Sequence, residues 1–242
     1  MNALIKAILN NKRVRHASDE LQTSVSFYNV MKAADYALDI NQDINDKIIA
    51  LEYLLKAIAV DFTSDIQSRL IYKDYNKEQI QTHIPFFPST FYDNDMIEHS
   101  FIKECNTDKQ ILVDLNHDNV LTTPWNMTRF FTSGINIYRN PFVFHQSNHL
   151  SYYYSDINIC WVHNGLHSTS AGVYHKKGKI LSKYCDISPL FNHIKTDGLD
   201  WYCVHSGYKL DKLFDFRIGA LFEIAKIKHN LLIENRPWGR FY

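Results

Sequence analysis

The chain has 242 residues, of which 45% are hydrophobic and 21% charged, a composition typical of a globular domain. Its 26 basic and 26 acidic side chains balance, which argues against a protein that grips duplex nucleic acid through bulk positive charge. The chain holds no run of about 18 apolar residues, so neither a transmembrane helix nor a membrane partner is expected.

The first third of the chain is predicted to be helical. Apolar residues within 4–9 share one helical face, and a second helix is expected over 18–37. The clearest helix is Ile44–Tyr72, where apolar side chains recur at spacings of three and four residues. Residues 1–75 are therefore predicted to form an N-terminal helical subdomain. The periodicity then fades around two prolines, which predicts an irregular connection over 76–109.

From residue 110 onward, short strand-like runs alternate with short helical ones. This alternation predicts a mixed α/β core over 110–210, followed by a closing helix and tail over 211–242. A loop through Pro124 and Trp125 is expected to lead into a short helix that carries Arg129. The expected strands are 111–115, 135–137, 142–144, 157–161, 181–186 and 201–204. The sequence thus predicts an α+β protein whose N-terminal helical subdomain packs on a small mixed β-sheet domain.

The most informative segment is 157–179. An alternating apolar strand there meets Asn164-Gly165, and a cluster of hydroxyl residues follows. Gly165 can take the positive φ that a tight turn needs, and hydroxyl side chains are natural helix N-caps. Such a strand-to-helix turn attracts anions, because its unpaired backbone N–H groups and the helix dipole both favour negative charge. The ligand-binding residues expected for a phosphate-bearing ligand are Asn164, Gly165, Ser168, Thr169, Ser170, Asn148 and His149.

A family resemblance rests on four pieces of this core. They are ILVDL (111–115), PWNMTR (124–129), NPFVF (140–144) and ICWVHNGLHSTSAG (159–172). Their order is similar to the core shared by ParB-type proteins, sulfiredoxin and the DGQHR-motif proteins, which implies a ParB/sulfiredoxin-like core with a phosphate-binding turn. In those families an Arg that contacts ligand phosphate stands where this chain has Ser168. Arg129, or a lysine at 176, 177 or 179, would then supply the positive charge.

The whole chain also resembles an uncharacterised bacterial protein family found near mobile-element and phage-defence genes. This resemblance implies a defence or toxin setting. The four cysteines are isolated, with no CxxC spacing, which predicts free thiols and a cytoplasmic location.

Histidines are the second chemical signal. His145 with His149, and His163 with His167, have the i, i+4 spacing that holds a metal when both residues lie on one helix. Neither pair lies on a predicted helix, and no Asp or Glu occupies the position of a general base. A divalent metal is therefore less favoured than a nucleotide, and we expect turn, surface or anion-contacting histidines.

These features predict a protein that binds the phosphate of a nucleotide or of a single-stranded nucleic acid, and that could act as a nuclease or phosphohydrolase. His167 would serve as general acid or base or donate to phosphate, with His163 as a further catalytic candidate. Turn N–H groups would hold the oxyanion, and Arg129 would neutralise charge.

An alternative is a non-enzymatic interaction or effector protein with an aromatic-rich surface. Tyr152–Tyr154, with Trp125, Phe130 and Phe131, could stack the bases of a single strand or contact a protein partner. Aromatic residues of this kind serve equally well in a core or an interface.

Overall fold

The computed structural model describes residues 3–40, 43–72 and 80–235 and shows an α+β protein. The helices are α1 (Ala3–Ile40), α2 (Ile44–Tyr72), α3 (Phe101–Cys105), α4 (Met127–Arg139), α5 (Leu166–His175) and α6 (Phe216–Glu234). The strands are β1 (Thr90–Tyr92), β2 (Glu98–Ser100), β3 (Asn106–Asp114), β4 (Val120–Leu121), β5 (Ser151–Tyr154), β6 (Ile159–Val162), β7 (Lys179–Cys185), β8 (Ile194–Thr196), β9 (Asp200–Cys203) and β10 (Lys209–Lys212). Across these described ranges, every helix is too short or too polar to span a bilayer.

The helical layer consists of α1, α2 and α6, which pack on one another. The bounds predicted for α2 are confirmed, and its apolar stripe is buried. Two helices were predicted within residues 4–37, but the structure has the single helix α1 there. This segment contains no Gly or Pro to end the first helix, so the backbone continues without a break. Arg217 fastens α6 to α2, since its guanidinium donates to Asp61 at 2.9 Å and Asp65 at 2.7 Å.

The main sheet is mixed and has the strand order β3-β7-β5-β6-β4. Strand β5 runs parallel to β7, and β4 runs parallel to β6, whereas the other neighbours are antiparallel. A smaller antiparallel sheet is formed by β8, β9 and β10. Buried Gln67 of α2 donates its side-chain N–H to the carbonyl of Val120, which ties the helical layer to β4.

The main sheet separates two cores. On one face, Cys160, Val162 and Ile180 join a small core with Leu166 at the start of α5. Side chains on the other face, which include Trp161, join the large core that also contains residues of α2 and α6. Strand β6 is buried along its whole length because both of its faces are covered. The turn that follows β6 is therefore held on a rigid support.

Two predicted strands are wrong. Residues 135–137 lie inside α4, whose N-terminus is capped by Asn126 through a hydrogen bond from the N–H of Arg129 at 2.9 Å. Residues 142–144 form no strand. The ring of Phe142 packs over Gly178 instead, and β5 takes the pairing position beside β7. A three-residue alternation is too short to separate a strand from a helix or a packed loop.

The described part of the predicted connection, residues 80–109, contains short regular elements that the sequence does not predict. Strands β1 and β2 form an antiparallel hairpin, and α3 follows directly. Before the hairpin, Phe86 and Phe87 are buried in the large core. This segment therefore forms part of the wall on that face of the main sheet.

Candidate functional site

The predicted strand-to-helix turn is present. Strand β6 ends at Val162, α5 begins at Leu166, and Gly165 between them has φ 75° and ψ 26°. A Cβ at this position would stand 2.6 Å from Cδ2 of His149 and 2.9 Å from the carbonyl oxygen of Asn148. Both the left-handed backbone and this close approach therefore require glycine.

A directed chain of hydrogen bonds fixes the turn from behind. The N–H of His145 donates to Nδ1 of His149 at 3.0 Å, so the proton of that ring lies on Nε2. Nε2 then donates to Oγ of Ser168 at 2.9 Å, and this hydroxyl donates to the carbonyl of Gly165 at 3.1 Å. Burial lowers the pKa of His149, which keeps the ring neutral as this arrangement needs.

The start of α5 presents backbone donors to a surface depression. Within the described chain, no side chain caps the helix at Gly165, and the N–H of Thr169 donates back to the carbonyl of Gly165 at 3.0 Å. The N–H groups of the first three helical residues precede that bond and have no acceptor within the helix. The turn depression, as we call it, has a volume of about 360 Å³ and is lined by Trp125, Arg129, Thr132, Ser133, Asn148, Asn164, Gly165, Leu166, His167 and Ser168.

The turn depression is electropositive. Arg129 lines it from the first turn of α4, with Cζ 5.5 Å from the ring centroid of Trp125, and none of the lining residues is acidic. Among the described residues, Arg129 forms no ion pair. The segment 119–185 carries six Lys or Arg residues and only one acidic residue, Asp156, although the whole chain is neutral. The local field therefore favours an anion where the bulk charge does not.

His167 joins the two helices that border the turn depression. Its Nε2 accepts the N–H of Asn126 at 3.1 Å and that of Trp125 at 3.4 Å, so the ring proton lies on Nδ1. Burial, and then the charge of Arg129, lower the pKa of His167 and keep the ring neutral. Because Nε2 holds the N-terminus of α4, only the Nδ1–H group remains to donate to a ligand.

Four of the predicted site residues do not line the turn depression: His149, which lies behind the turn, and His163, Thr169 and Ser170. His163 stacks on Tyr152, with ring centroids 5.3 Å apart, and contacts Trp161 on the other face of the main sheet. Thr169 and Ser170 are buried on the inner side of α5, and their hydroxyls find no partner among the described residues. The helical period turns these two side chains inward, so they do not serve as N-caps.

Sequence reasoning missed Thr132 and Ser133, which line the turn depression beside Arg129. They stand three and four residues after Arg129 on α4, so they share its side of the helix. This spacing on a helix already predicted to carry Arg129 was the signal that could have found them. His149, in contrast, lies buried behind the turn and supports it.

The histidine pairs considered as metal ligands are engaged otherwise. His145 meets His149 through its backbone N–H, and His163 and His167 lie on different faces of the main sheet. Over the ranges that the structure describes, no three His, Cys, Asp or Glu side chains are grouped so that they could hold a metal ion.

The aromatic residues considered as a single cluster are divided among three places, and Trp125 lines the turn depression. Tyr152–Tyr154 form β5 within the main sheet, and Tyr154 is buried. Phe130 and Phe131 lie on α4 in an open groove of about 530 Å³, on the flank of the helix away from Arg129. The α4 groove is lined by Ile71, Phe130, Phe131, Gly134, Ile135, Tyr138, Arg139, Ala171, Tyr174 and His175.

Comparison with known proteins gives one match. A family model covers residues 9–235, almost the entire chain. The chain belongs to DUF6710, a family of unknown function. No curated protein and no solved structure matches it.

One strand that the resemblance to a ParB/sulfiredoxin-like core implies is missing from the described part of the DUF6710 chain. That core has a hydrophobic strand directly after its Asn-Pro, whereas residues 142–144 here form a loop and the next strand begins at Ser151. The strand, the Arg-bearing helix and the strand-to-helix turn occur in the expected chain order. In this DUF6710 member, the likeness to that core therefore remains a resemblance of sequence pattern.

Proposed function

We propose that this DUF6710 protein binds a phosphate group of a nucleotide or nucleic acid in the turn depression. One observation carries the proposal: the uncapped N-terminus of α5 and the guanidinium of Arg129, which has no described ion-pair partner, line the same acid-free depression. Backbone N–H groups at a helix N-terminus bind phosphate oxygens, and a guanidinium can hold two of them at once.

Single-stranded nucleic acid is the ligand form that the surroundings favour. The α4 groove exposes Phe131 by 59% and Tyr138 by 70%, on the flank of α4 away from Arg129. Exposed aromatic rings across one helix from a positively charged site suit the bases of a strand that runs over α4 from a bound phosphate. Arg139 lines the same groove and adds a second cation for a neighbouring phosphate.

The geometry supports binding better than phosphate hydrolysis. Nε2 of His167 is occupied by backbone donors, so the general acid or base role expected for this ring has only Nδ1–H to use. No carboxylate lines the turn depression as a general base. Cys160 is buried, and burial raises the pKa of its thiol to about 12, which removes it as a nucleophile.

Fluorescence anisotropy with a short labelled oligothymidylate tests the proposal, with unlabelled ATP and inorganic phosphate as competitors. Arg129→Ala should weaken oligonucleotide binding about tenfold or more, the loss expected when a charged hydrogen bond of about 1.5–3 kcal/mol is removed. Lys195→Ala is the matched control, because it also removes one exposed positive charge but lies on β8, away from the site.

An affinity that Arg129→Ala leaves unchanged would contradict the proposal. Competition by ATP alone would identify a mononucleotide site, and capture of an acidic peptide in place of the oligonucleotide would favour the interaction-protein alternative. Shortened products on a denaturing gel would restore the nuclease hypothesis.

A defence or toxin setting is the cellular part of the proposal, and it rests on the sequence resemblance. Phage plating on cells that express the wild type or Arg129→Ala tests it. Protection that disappears with Arg129→Ala, at equal protein levels, would connect the cellular role to the turn depression. Equal plating with and without the protein would count against this setting.

A further inference from the structure

A second cavity lies on the other face of the main sheet. Its volume is about 410 Å³, and it is enclosed by the segment before β1, the start of α3, and the β5–β6 side of the sheet. None of its lining residues also lines the turn depression. We call it the aromatic cavity, because Phe86, Phe87, Phe101, Tyr152, Tyr154 and Trp161 contribute to its walls.

The walls of the aromatic cavity are preformed. Phe86 packs against Tyr154 with ring centroids 4.9 Å apart and against Trp161 at 6.0 Å. Phe87 meets Tyr154 edge to face at 5.6 Å. The rim, in contrast, is exposed and carries the polar residues His83, Ser89 and Asp211 beside Pro85 and Ile102. Buried apolar walls with a solvent-exposed polar opening are typical of small-molecule sites.

Trp161 supplies a polar group that the fold leaves unused. The residue is only 7% exposed, and its indole N–H finds no hydrogen-bond partner among the described residues. A buried Trp N–H usually has a hydrogen-bond acceptor, so an unpaired one costs free energy that a bound acceptor would recover. A ligand with an acceptor atom in the aromatic cavity could provide it.

The charges of the lining restrict the ligand further. No Lys or Arg lines the aromatic cavity; its ionisable residues besides the tyrosines and Cys185 are His83 and Asp211, both at the exposed rim, and the carboxylate of Asp211 disfavours an anion such as phosphate. A cation would need free ring faces, but the wall rings are packed against one another. A flat, uncharged molecule fits both the apolar walls and the buried, unpaired donor of Trp161.

We propose that the aromatic cavity is a binding site for a neutral, planar heteroaromatic molecule whose ring nitrogen or carbonyl accepts the indole N–H of Trp161. This site is independent of the turn depression and of the function proposed for it. The protein would therefore hold two ligands of opposite character, a charged one on the α4–α5 side of the main sheet and an uncharged one on the other.

Quinoline and naphthalene are the probes for this proposal, because they have the same size and shape but only quinoline has an acceptor nitrogen. Isothermal titration of the full chain should give saturable binding of quinoline. Naphthalene should bind roughly fivefold more weakly, which corresponds to one net hydrogen bond of about 1 kcal/mol. In Trp161→Phe the preference for quinoline should disappear or reverse, because its ring nitrogen then gives up a hydrogen bond to water without gaining one from the protein.

Ser89→Trp provides a second test that leaves the buried walls intact, because it places a large side chain at the exposed rim. It should block quinoline binding. Ser64→Trp, on an exposed position of α2 away from the cavity, is the matched control and should bind quinoline as the wild type does.

Three outcomes would overturn the proposal. They are the absence of saturable binding for either probe, equal wild-type affinities for the two probes, and quinoline binding that Ser89→Trp leaves intact. Saturable binding of tetramethylammonium, with no binding of quinoline, would identify a site for cations instead. Oligonucleotide binding measured on the same variants keeps a failure here separate from a failure of the phosphate site.

Discussion

The two faces of the main sheet carry sites built in contrasting ways. The turn depression is polar, takes much of its chemistry from backbone N–H groups, and depends on one glycine. The aromatic cavity is apolar and is made by side chains from segments distant in the chain. A rigid sheet can therefore support two sites with no shared residue. Substitutions on one side should leave ligand binding on the other intact.

Phe86→Ala should give the largest effect. Phe86 is 2% exposed and touches Phe62, Tyr154 and Trp161, so truncation should destabilise the protein by about 3–5 kcal/mol. Urea unfolding measures this loss, and oligonucleotide affinity per folded molecule should not change.

Phe131→Ala is the matched control on α4. This side chain is 59% exposed, so stability should change by no more than about 0.5 kcal/mol while oligonucleotide binding weakens. If Phe86→Ala in folded protein weakens oligonucleotide binding more than Phe131→Ala does, the two faces are coupled and the comparison fails.

Gly165→Ala should cause the next largest loss of stability. The left-handed backbone costs an alanine about 1–3 kcal/mol, and the new Cβ would also overlap the carbonyl oxygen of Asn148. Oligonucleotide binding should fall, whereas quinoline binding should persist in the folded fraction. Gly134→Ala serves as control, because nothing lies within 4 Å of its added Cβ, and it should stabilise α4 by up to about 1 kcal/mol. Equal urea midpoints for the two variants would argue against a strained turn.

A fall in pH should reduce the stability of the α4–α5 side of the protein. Burial, and then Arg129, lower the pKa of His167, so the unfolded chain takes up its proton more readily than the folded protein does. This contribution to stability is present above the ordinary pKa of about 6.5 and is lost as the pH falls below it. His167→Gln should therefore reduce the loss of stability between about pH 7.5 and 5.5. The midpoints of urea unfolding at several pH values measure this change, and a substitution of the exposed His117, His117→Gln, is the control. Identical pH profiles for the wild type and His167→Gln would refute the stabilising role assigned to neutral His167.

The stability of the β1–β2 hairpin beside the aromatic cavity should change with pH in the opposite direction. This is the smallest of the expected effects. Nε2 of His99 lies 2.9 Å from Asp93, and this hydrogen bond raises the pKa of His99. The raised pKa gives stability that is present below about pH 6.5 and is lost as the pH rises through the folded value. Asp93→Asn should lower the melting temperature slightly at acidic pH and less at alkaline pH. A difference that grows with pH would contradict this sign.

Short sequence patterns correctly predict those elements whose conformation is decided by neighbouring residues. The stripe of α2 and the Asn164-Gly165 turn follow from residue spacing and from the conformational freedom of glycine, and both are present. The course of residues 142–144 depends on β5 taking the place beside β7, a long-range competition that no short window contains.

The candidate site follows the same rule: its locally determined parts could be predicted, and the parts that depend on the tertiary fold could not. The expected turn and Arg129 line one depression because the turn and the Arg-bearing helix could each be predicted from neighbouring residues. Thr169 and Ser170 were misplaced because their burial depends on the exact start of α5. The aromatic cavity escaped prediction altogether, since Phe86 and Trp161 meet only through the tertiary fold.

The hydrogen bond from Gln67 to Val120 bears on how the protein behaves in concentrated solution. A sheet edge offers unpaired backbone groups to which another chain can add a strand. At β4 the side chain of Gln67 occupies one such carbonyl, and at the opposite edge β3 carries the charges of Asp108 and Lys109. We therefore expect self-association through the sheet only after α2 detaches, so that brief heating, rather than concentration, should trigger aggregation.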